Sequence, residues 1–310
     1  MLLFKKRPKQ FHGHIDRFSV VRLSLYVEGW ASHFEPAIYY DGKPLQLVVT
    51  KVERPDLESH FSASARSWGF ALCAMLPTVD IDRTKFRFRL NAGMTIDNPG
   101  ERFTQQIDNA YIAMVDRFRK AVRGPDSRLL EIGSRARSGT VYRDWFPELQ
   151  HYTGIDIATG PNVDIVCDAH HLSAHVNGPF DFVFSIATFE HLLMPWKVAI
   201  EMNTVMRDGG LALIISHPAW PLHEEPWDFF RFSKESWSGL FNAHTGFKML
   251  EAAYQHEALI IPTYINNPHF ERMSQGQTYL LSGCLVQKIG PSAVRWDANI
   301  SILDLANYGW

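Results

Sequence analysis

Four short apolar runs, separated by segments long enough for helices, constrain the fold of this chain most strongly. They begin at Leu129, Tyr152, Val163 and Asp181, and they are rich in β-branched or aromatic residues. Parallel strands need connections of about a dozen residues, so this spacing predicts strand–helix units that build a parallel sheet. A fifth apolar run, from Leu211 to His217, is predicted as a buried strand of the same sheet. The sequence therefore predicts an α/β fold.

Acidic residues stand in the first three runs, at Glu131, Asp156 and Asp168. Ligands of open α/β sheets bind at the carboxyl ends of the strands. Gly133 would let the backbone approach a ligand closely because it has no Cβ. Asp156 follows Glu131 by 25 positions, where an acid can accept hydrogen bonds from ribose hydroxyls, and Asp168 could meet an adenine edge. An acid after a strand is often only a helix N-cap, but these motifs in this order favour a nucleoside-containing cofactor.

The first turn lacks the glycine pattern of dinucleotide sites. Such sites use three glycines and a tight helix N-terminus to hold pyrophosphate. This turn instead has Gly133 and Gly139, with Arg135 and Arg137 between them. A cofactor with pyrophosphate is therefore disfavoured, and a nicotinamide-dependent enzyme is only a lesser alternative.

From about Glu101 to Lys288 the sequence resembles the class I S-adenosylmethionine-dependent methyltransferases. The resemblance is most specific in LLEIGS, GIDI, DAHHL, FSIATFEHL and MRDGGLALI, while the family's usual second and third glycines are Arg135 and Arg137 here. It implies a Rossmann-like sheet and S-adenosyl-L-methionine as the cofactor. By the same resemblance, the cofactor-binding residues are those by the methionine part (Glu131, Gly133, Ser134), the ribose (Asp156, Ile157), the adenine (Asp168, Ala169, His170) and the methyl-transfer side (Ser185, Ile186, Ala187).

The segment after the fifth strand, from His217 to Ser233, is rich in proline, histidine and aromatic residues. Long connections of this kind in compact domains are usually lids or binding loops. The pattern H-x-x-P-x-D-x-x-R-F-S, which begins at His223, resembles a segment of methyltransferases encoded with surface-polysaccharide genes. This resemblance implies a methyl acceptor that is a sugar of a surface polysaccharide or a related glycan precursor.

Methyl transfer from a sulfonium mainly requires alignment of donor and acceptor and exclusion of water. A hydroxyl acceptor also needs a base, and the candidates expected at the carboxyl edge of the sheet are His191, His217, His223 and Asp228. We favour His223 oriented by Asp228, or Asp228 paired with Arg231 to shape the acceptor pocket. A structural hydrogen-bonding role is the alternative for each. The spacing of these histidines and acids matches no strong metal-ligand pattern, so no metal is predicted.

Before the sheet, from about Ser19 to Leu90, the sequence alternates apolar and polar residues and is rich in β-branched and aromatic side chains. Asp41-Gly42 between two such runs is a hairpin signal. A sheet with one apolar face must bury it, so a small all-β sandwich domain over residues 1–92 is predicted. The run is similar to β-sandwich modules appended to bacterial polysaccharide glycosyltransferases and methyltransferases.

Turn residues and apolar periodicity predict the remaining boundaries. The predicted segments after the sandwich are a linker at 93–100, the S-adenosylmethionine-binding domain at 101–288 and a tail at 289–310. The predicted helices span 101–122, 195–207 and 234–243, with Ser233 as the cap of the last. Apolar runs near 248–253 and 278–287 are expected to form the final antiparallel strands.

Charge and composition limit the partners. The 310 residues carry a formal net charge of −2 with a pI near 6.7, which gives no global attraction to a phosphate backbone, so no nucleic-acid partner is predicted. No apolar run is long enough for a signal peptide or a membrane span, so a cytoplasmic protein is expected, with at most weak membrane contact through basic residues 5–9. The cysteines, Cys73, Cys167 and Cys284, form no CxxC pair and are predicted as buried thiols.

The sequence thus leads to the hypothesis of a cytoplasmic S-adenosylmethionine-dependent methyltransferase that O-methylates a sugar. Two alternatives stay open beside the nicotinamide-dependent enzyme. The acceptor could be another small molecule or a lipid-linked one. The chain could also be an inactive methyltransferase-like scaffold or a glycan-binding protein of polysaccharide assembly, an alternative that Arg135 and Arg137 support.

Overall fold

The computed structural model describes residues 11–21, 23–97, 109–258, 260 and 277–300. The chain forms two compact units. The described residues up to Asp97 belong to the first unit, and residues 109–258 and 278–300 belong to the second. Within these described ranges, none of the helices combines the length and the apolar character needed to span a bilayer.

The first unit contains two antiparallel four-stranded sheets. Their strands are β1 (Gly13–Val21), β2 (Ser24–Ala31), β3 (Ala37–Tyr40), β4 (Lys43–Pro44), β5 (Leu47–Val52), β6 (Gly69–Met75), β7 (Phe86–Asn91) and β8 (Met94–Asp97). One sheet has the order β1-β2-β6-β5 and the other β4-β3-β7-β8. Asp41 and Gly42, with φ angles of 49° and 76°, form the predicted hairpin turn between β3 and β4.

Side chains from both sheets meet in one apolar cluster. On β7, Phe86, Phe88 and Leu90 are buried, whereas the arginines between them are exposed. Phe18 of β1 packs edge-on against Phe86 and Phe88, with ring centroids 5.4 and 5.3 Å apart. Each sheet therefore buries one face in a shared apolar core.

Strand β8 lies within the predicted linker at 93–100. It pairs antiparallel with β7, and Met94 and Ile96 pack against the apolar cluster. The turn residues of this segment predict a linker, because its two apolar residues are too few to indicate a strand when the neighbouring strand is unknown. Residues 98–108, which include the start of the predicted helix at 101–122, lie outside the described residues.

The second unit is a seven-stranded sheet covered by helices. Its elements are α1 (Asn109–Ala121), β9 (Arg128–Ile132), β10 (His151–Asp156), β11 (Ile165–Val166), α2 (Leu172–His175), β12 (Phe180–Ile186), α3 (Pro195–Val205), β13 (Met206–Ser216), α4 (Lys234–Leu240), β14 (Phe247–Ala258) and β15 (Thr278–Lys288). The strand order is β11-β10-β9-β12-β13-β15-β14. The first five strands in this order are parallel, and β15 is antiparallel to both its neighbours, as predicted for the last two strands.

The order of the strands creates a switch point beside β9. The chain runs from β9 to β10 and β11 on one side, and then crosses to β12 on the other side of β9. Ligands of open α/β sheets bind where the strand order reverses in this way, because the loops at the carboxyl ends of the adjacent strands separate there. The topology therefore places a crevice between the loops after β9 and β12.

The first two connections of this sheet are not helical, contrary to the prediction of strand–helix units. The connection from β9 to β10 is a loop with one 3-10 turn, Tyr142–Trp145, and the connection from β10 to β11 is also a loop. Gly133 and Gly139 adopt φ angles of 78° and 81°, which interrupt regular structure. The aromatic residues Tyr142 and Phe146 pack on the sheet instead and cover the face that a helix would cover.

Two helix boundaries differ from the sequence prediction. Helix α3 ends at Val205, two residues early, because β13 follows it directly. Helix α4 ends at Leu240, and a separate 3-10 turn, Ala243–Thr245, follows it, with Gly246 as its C-cap at a φ of 78°. Ser233 stands at the N-cap of α4, but its Oγ lies 3.1 Å from Ser236 Oγ and makes no capping hydrogen bond to the backbone.

Apolar layers cover both faces of the sheet. Met114 of α1 packs on one face, and Met202 of α3 and Trp237 of α4 pack on the other. The described part of the predicted tail, residues 289–300, is irregular and lies against α3, where Lys197 Nζ donates a hydrogen bond to the Ala298 carbonyl at 2.7 Å. All three cysteines are buried, as predicted.

Candidate active site

A cleft of about 590 Å³ opens at the carboxyl ends of β9, β10, β12 and β13. Three segments form most of its wall: the loop after β9, the turn after β12, and the segment from His217 to Trp227 after β13. A cavity of about 80 Å³ shares part of that wall. The residues common to both are Gly133, Asp156, Ile157, Thr188, His191 and Trp227. The cleft and the small cavity therefore form one site at the predicted edge of the sheet.

The loop after β9 turns sharply at Gly133. Its φ is 78°, and a Cβ at this position would lie 1.9 Å from Thr188 Oγ1, so only glycine fits. The N–H groups of Gly133 and Ser134 both donate to the Ile155 carbonyl at 2.8 Å. Ser134 lines the cleft, and its Oγ is buried without a hydrogen-bond partner among the described residues. A buried hydroxyl of this kind is suited to a polar ligand group.

Glu131 is buried beneath this loop. Its Oε2 accepts hydrogen bonds from the Tyr152 hydroxyl and, at 2.8 Å, from Asn162 Nδ2. Burial raises the pKa of Glu131 to about 7, although both hydrogen bonds favour the ionised form. Asn162 Nδ2 also donates to the Ser134 carbonyl at 3.0 Å. Glu131 and Asn162 together hold the loop in place at the floor of the cleft.

Asp156 ends β10 and lines both cavities. Its Oδ1 accepts a hydrogen bond from the Ala158 N–H at 3.0 Å, and its Oδ2 accepts a longer one from the Arg135 N–H at 3.4 Å. The Arg135 Nε lies 3.6 Å from Oδ1, too far for a close hydrogen bond. Because a carboxylate has about four lone-pair sites, each oxygen of Asp156 keeps one for a pair of hydroxyls.

Asp168 lines the small cavity, together with Ala169. Its Oδ1 accepts hydrogen bonds from His170 N at 2.9 Å and His170 Nδ1 at 2.6 Å, whereas Oδ2 is buried with no partner among the described residues. Burial opposes ionisation, but the bonds from His170 outweigh it and lower the pKa of Asp168. His170 Nε2 in turn accepts a hydrogen bond from Met194 N at 3.0 Å. A charged oxygen without a donor fits an amino group such as that of adenine.

Two histidines face each other in the other part of the cleft, with ring centroids 4.8 Å apart. His191 Nδ1 donates to the Trp227 carbonyl at 2.7 Å, and His223 Nδ1 donates to the Pro221 carbonyl at 3.0 Å. A carbonyl oxygen can only accept, so Nδ1 carries the proton in each neutral ring. Each Nε2 is therefore left with a lone pair.

His217, at the end of β13, has partners at both ring nitrogens. Its Nδ1 donates to the Leu280 carbonyl at 3.0 Å, and its Nε2 lies 3.2 Å from Oε1 of the fully buried Glu190. Ser216 Oγ donates to the other oxygen of Glu190 at 2.6 Å. Burial disfavours the charged imidazole, but Glu190 outweighs it and raises the pKa of His217. The His217 ring stacks on Trp220, with centroids 4.4 Å apart.

Asp228 and Arg231 are not among the residues that line the cleft. Arg231 binds both oxygens of Asp228, through Nη1 at 2.5 Å and Nη2 at 2.7 Å, and holds the pKa of that carboxyl at about 2. Asp228 also accepts from the His223 N–H at 3.0 Å, and Arg231 Nη2 donates to the Trp220 carbonyl at 3.2 Å. The pair therefore fixes the loop that carries His223 and Trp220. These contacts are those expected if Asp228 and Arg231 pair to shape the pocket, and the 3.5 Å between His223 Nδ1 and Asp228 Oδ2 is compatible with the alternative that Asp228 orients His223.

Residues 130–214, which form the strands and loops of this site up to β13, match the family model for a methyltransferase domain. We call the second unit the methyltransferase domain, after this match. No curated protein matches the chain.

Solved methyltransferases resemble this chain at low sequence identity. A S-adenosylmethionine-dependent methyltransferase from Archaeoglobus fulgidus is 14% identical over 58% of this chain and 95% of its own, with a TM-score of 0.41. The N-methyltransferase NodS from Bradyrhizobium japonicum is 14% identical over 59% of this chain and 99% of its own, with a TM-score of 0.39. The 1,6-didemethyltoxoflavin-N1-methyltransferase from Burkholderia thailandensis is 13% identical over 59% of this chain and 80% of its own, with a TM-score of 0.40.

The methyltransferase domain presents groups that fit the cofactor. Ser134 Oγ and Asp168 Oδ2 are buried polar atoms without a partner among the described residues, and a ligand can satisfy them. Asp156 keeps lone pairs for two hydroxyls. Gly133 leaves room where a side chain would collide with Thr188. Gly133 and Ser134 would hold the methionine part, Asp156 the ribose and Asp168 the adenine, as the resemblance implies.

One predicted residue of the methyl-transfer side does not reach the cleft of the methyltransferase domain. Ser185 is fully buried, and its Oγ donates to the Ile132 carbonyl at 2.9 Å, so it joins β12 to β9 instead. The prediction was wrong because successive side chains of a strand point to opposite faces of the sheet, so neighbouring residues at the end of β12 do not all face the same cavity. Ile186 and Ala187 do line the cleft, and Ala187 has a φ of 52°, an uncommon conformation for a residue with a side chain.

Several cleft residues were not predicted as site residues. Trp220 and Trp227 belong to the aromatic-rich segment after β13, whose composition is the signal that could have indicated them. Glu224, with a φ of 55°, forms an ion pair with Arg137 that lowers the pKa of Glu224. Nothing in the sequence pattern indicates Asn162, because its role depends on a contact with Glu131 that only the fold creates.

Proposed function

We propose that the methyltransferase domain transfers a methyl group to a hydroxyl of a sugar, in a surface polysaccharide or a related glycan precursor. Trp220 is the observation that carries the sugar assignment. Its side chain is 41% exposed and lines the cleft, and its ring is backed by the stacked imidazole of His217. A rigid indole face of this kind offers a flat apolar surface beside polar groups, which suits the amphipathic face of a sugar ring.

The chemistry of transfer to a hydroxyl requires alignment and removal of one proton. When bound, S-adenosylmethionine supplies an electrophilic methyl group on a sulfonium, whose sulfur leaves as a neutral thioether. As the new oxygen–carbon bond forms, the hydroxyl proton passes to the lone pair on Nε2 of His191 or His223. We do not propose His217 as this base, because both of its ring nitrogens already face partners, the Leu280 carbonyl and Glu190. His191 and His223 are therefore the proposed bases.

The proposal also covers the first unit and the location. We assign the first unit, up to β8, to an accessory β-sandwich domain that serves the glycan acceptor, and the second unit to the methyltransferase domain. The shared apolar core of the two antiparallel sheets supports this assignment for the first unit. The proposed location is the cytoplasm, where buried thiols such as Cys167 and Cys284 stay reduced.

A catalytically inactive scaffold is the second candidate. Arg135 and Arg137 stand where the resembled family has glycines, and both extend over the cleft. Arg135 lies beside Asp156, and Arg137 is paired with Glu224. These two contacts favour the scaffold only if they prevent cofactor binding or methyl transfer, which calorimetry with S-adenosylmethionine and a direct measurement of methyl transfer decide.

The experiment supplies S-adenosylmethionine with a labelled methyl group, together with nucleotide sugars and cell-envelope glycan fractions. We expect label in a carbohydrate fraction, as an ether that resists mild alkali. His191→Asn and His223→Asn are the test variants, and whichever residue is the base should lower kcat by about a hundred- to ten-thousand-fold. His175→Asn, at an exposed histidine of α2, is the control and should keep full activity.

Two results would contradict the proposal. Absence of label from every fraction, with the cofactor bound, would favour the inactive scaffold. Label that appears only in a non-carbohydrate product would leave a methyltransferase with a different acceptor.

A further inference from the structure

We infer that Glu190, His191 and His223 bind a divalent transition-metal ion. One potential ligand atom from each of the three lies within 4.8 Å of the others. Two imidazoles with one carboxylate are a donor set that holds zinc or iron and leaves further coordination positions open. The spacing of the three residues in sequence follows no ligand motif, because two of them are adjacent and the third arrives on the segment after β13.

The two histidines are oriented as metal ligands are. In metal sites the ligating imidazole commonly donates its other N–H to a carbonyl or carboxylate, which fixes the ring and its tautomer. His191 and His223 both do so, through Nδ1 to the carbonyls of Trp227 and Pro221. Both rings line the cleft. Because Nδ1 of each ring is already hydrogen-bonded, Nε2 is the nitrogen left to bind an ion.

Glu190 is held in place by a hydrogen bond from Ser216, an ion-pair contact with His217 and two hydrogen bonds to its backbone carbonyl. Its side chain is fully buried, with Ser216 Oγ 2.6 Å from Oε2 and His217 Nε2 3.2 Å from Oε1. Its backbone carbonyl accepts from the N–H groups of Phe229 and Phe230 at 2.9 and 3.1 Å. A carboxylate oxygen can accept more than one partner, so Glu190 can contact an ion while His217 stays in place. The buried carboxylate is thus presented to the histidines in a fixed position.

The donor set determines which ions fit. Imidazole favours zinc, iron, cobalt and nickel, whereas magnesium prefers oxygen ligands and retains water. The side chain of His223 is 28% exposed in the cleft, so an ion here would have positions open to a ligand from solvent. The ion would occupy the Nε2 lone pairs that the proposed function uses as the base, so, if that function holds, binding of the ion and transfer of the proton to a histidine exclude each other.

Cobalt(II) is the probe, because its visible absorption reports ligation by histidine. The full-length protein is stripped with EDTA and titrated with Co²⁺ in the absence of S-adenosylmethionine, both by absorption and by calorimetry. We expect one ion per chain. We expect His191→Asn and His223→Asn each to weaken Co²⁺ binding by at least about tenfold, while His175→Asn binds as the unchanged protein does.

Folding of each variant is checked by its melting temperature and by its circular dichroism spectrum, neither of which the asparagine substitutions should change. The inference is overturned if the unchanged protein binds Co²⁺ no more tightly than the His223→Asn variant, or if the His175→Asn control loses as much affinity. Methyl transfer that persists in EDTA without Co²⁺ binding would leave the proposed function standing alone. Stoichiometric Co²⁺ binding without methyl transfer would leave the metal site standing alone.

Discussion

The guanidinium of Arg135 lies 3.6 Å from the carboxylate of Asp156, the acid at the end of β10. In the resembled family the position of this arginine is usually a glycine. Both oxygens of Asp156 already accept a backbone N–H, yet each retains a lone pair. The arginine therefore partly neutralises Asp156 without consuming the sites that ribose hydroxyls need.

We expect Asp156→Ala to weaken S-adenosylmethionine binding by at least about tenfold, since a hydrogen bond to a charged group is worth about 1.5–3 kcal/mol. Arg135→Ala should change the affinity by less than about threefold, because the guanidinium is not in the hydroxyl-binding positions. Calorimetry measures both, with Asp208→Asn at an exposed acid as the control. A tenfold loss in Arg135→Ala would show that the arginine itself holds the cofactor.

Asp168 should select adenine over a base with an oxygen at the same position. Its Oδ2 is buried and without a partner among the described residues, and the bonds from His170 keep the carboxyl ionised. An S-adenosylmethionine analogue with hypoxanthine in place of adenine would place a carbonyl oxygen, which cannot donate a hydrogen bond, opposite Asp168 Oδ2. We expect the analogue to bind about ten- to a hundredfold more weakly.

Asp168→Asn is the matching variant, because an amide can donate to the oxygen of hypoxanthine. The preference for adenine should shrink or reverse in this variant, as measured by competition between the two compounds. Equal affinity of the unchanged protein for both would contradict the assignment of Asp168 to the adenine.

Glu131 should make the fold less stable as pH rises. Its pKa in the folded protein is raised from 4.5 to about 7, so folding favours the protonated form. The stability it contributes is complete below pH 4.5, falls between 4.5 and 7, and is lost above 7, by about 3 kcal/mol in all. Glu131→Gln keeps an oxygen for Tyr152 and Asn162 but cannot ionise.

Urea unfolding at pH 5 and pH 8 measures this effect. The free energy of unfolding of Glu131→Gln, relative to the unchanged protein, should be higher at pH 8 than at pH 5 by about 2 to 2.5 kcal/mol, because part of the total effect is already present at pH 5. Glu148→Gln, at an exposed glutamate, should show no such difference. If the two substitutions respond to pH alike, Glu131 is not the group responsible.

Trp220→Ala should raise KM for the sugar acceptor by about two- to tenfold, since an aromatic stacking contact contributes about 0.5–1.5 kcal/mol. The affinity for S-adenosylmethionine should not change, because Trp220 lines the part of the cleft with the histidines and not the small cavity. Trp220→Phe should keep most of the stacking contact and so raise KM only slightly. Leu222→Ala, at a highly exposed neighbour, should leave KM unchanged. A loss in kcat with unchanged KM would argue against a stacking surface.

The sheet of the second unit could be predicted because its strands are short apolar runs that need no knowledge of distant residues. The acids at positions 131, 156 and 168 were expected at one edge, and all three line the two cavities. Their convergence follows from the parallel topology alone, since carboxyl ends of adjacent parallel strands must meet. The histidines at 191, 217 and 223 also line the cleft, as their positions after β12 and β13 indicated.

The rest depends on contacts that sequence periodicity does not encode. The irregular connection after β9 exists because Tyr142 and Phe146 cover the sheet in place of a helix, which only the packed structure reveals. Asp228 is a candidate base by its sequence position, but the bidentate pair with Arg231, which lowers the pKa of that carboxyl to about 2, exists only in the folded loop. The raised pKa of His217 likewise depends on Glu190, which lies 27 positions earlier in the chain.

The central claim is that the cleft at the carboxyl ends of β9, β10 and β12 encloses S-adenosylmethionine. Calorimetric titration of the full chain with S-adenosylmethionine tests it most directly. The account predicts saturable binding of one molecule per chain that is weakened in Asp156→Ala and Asp168→Ala. No binding, or binding that neither substitution affects, would contradict it.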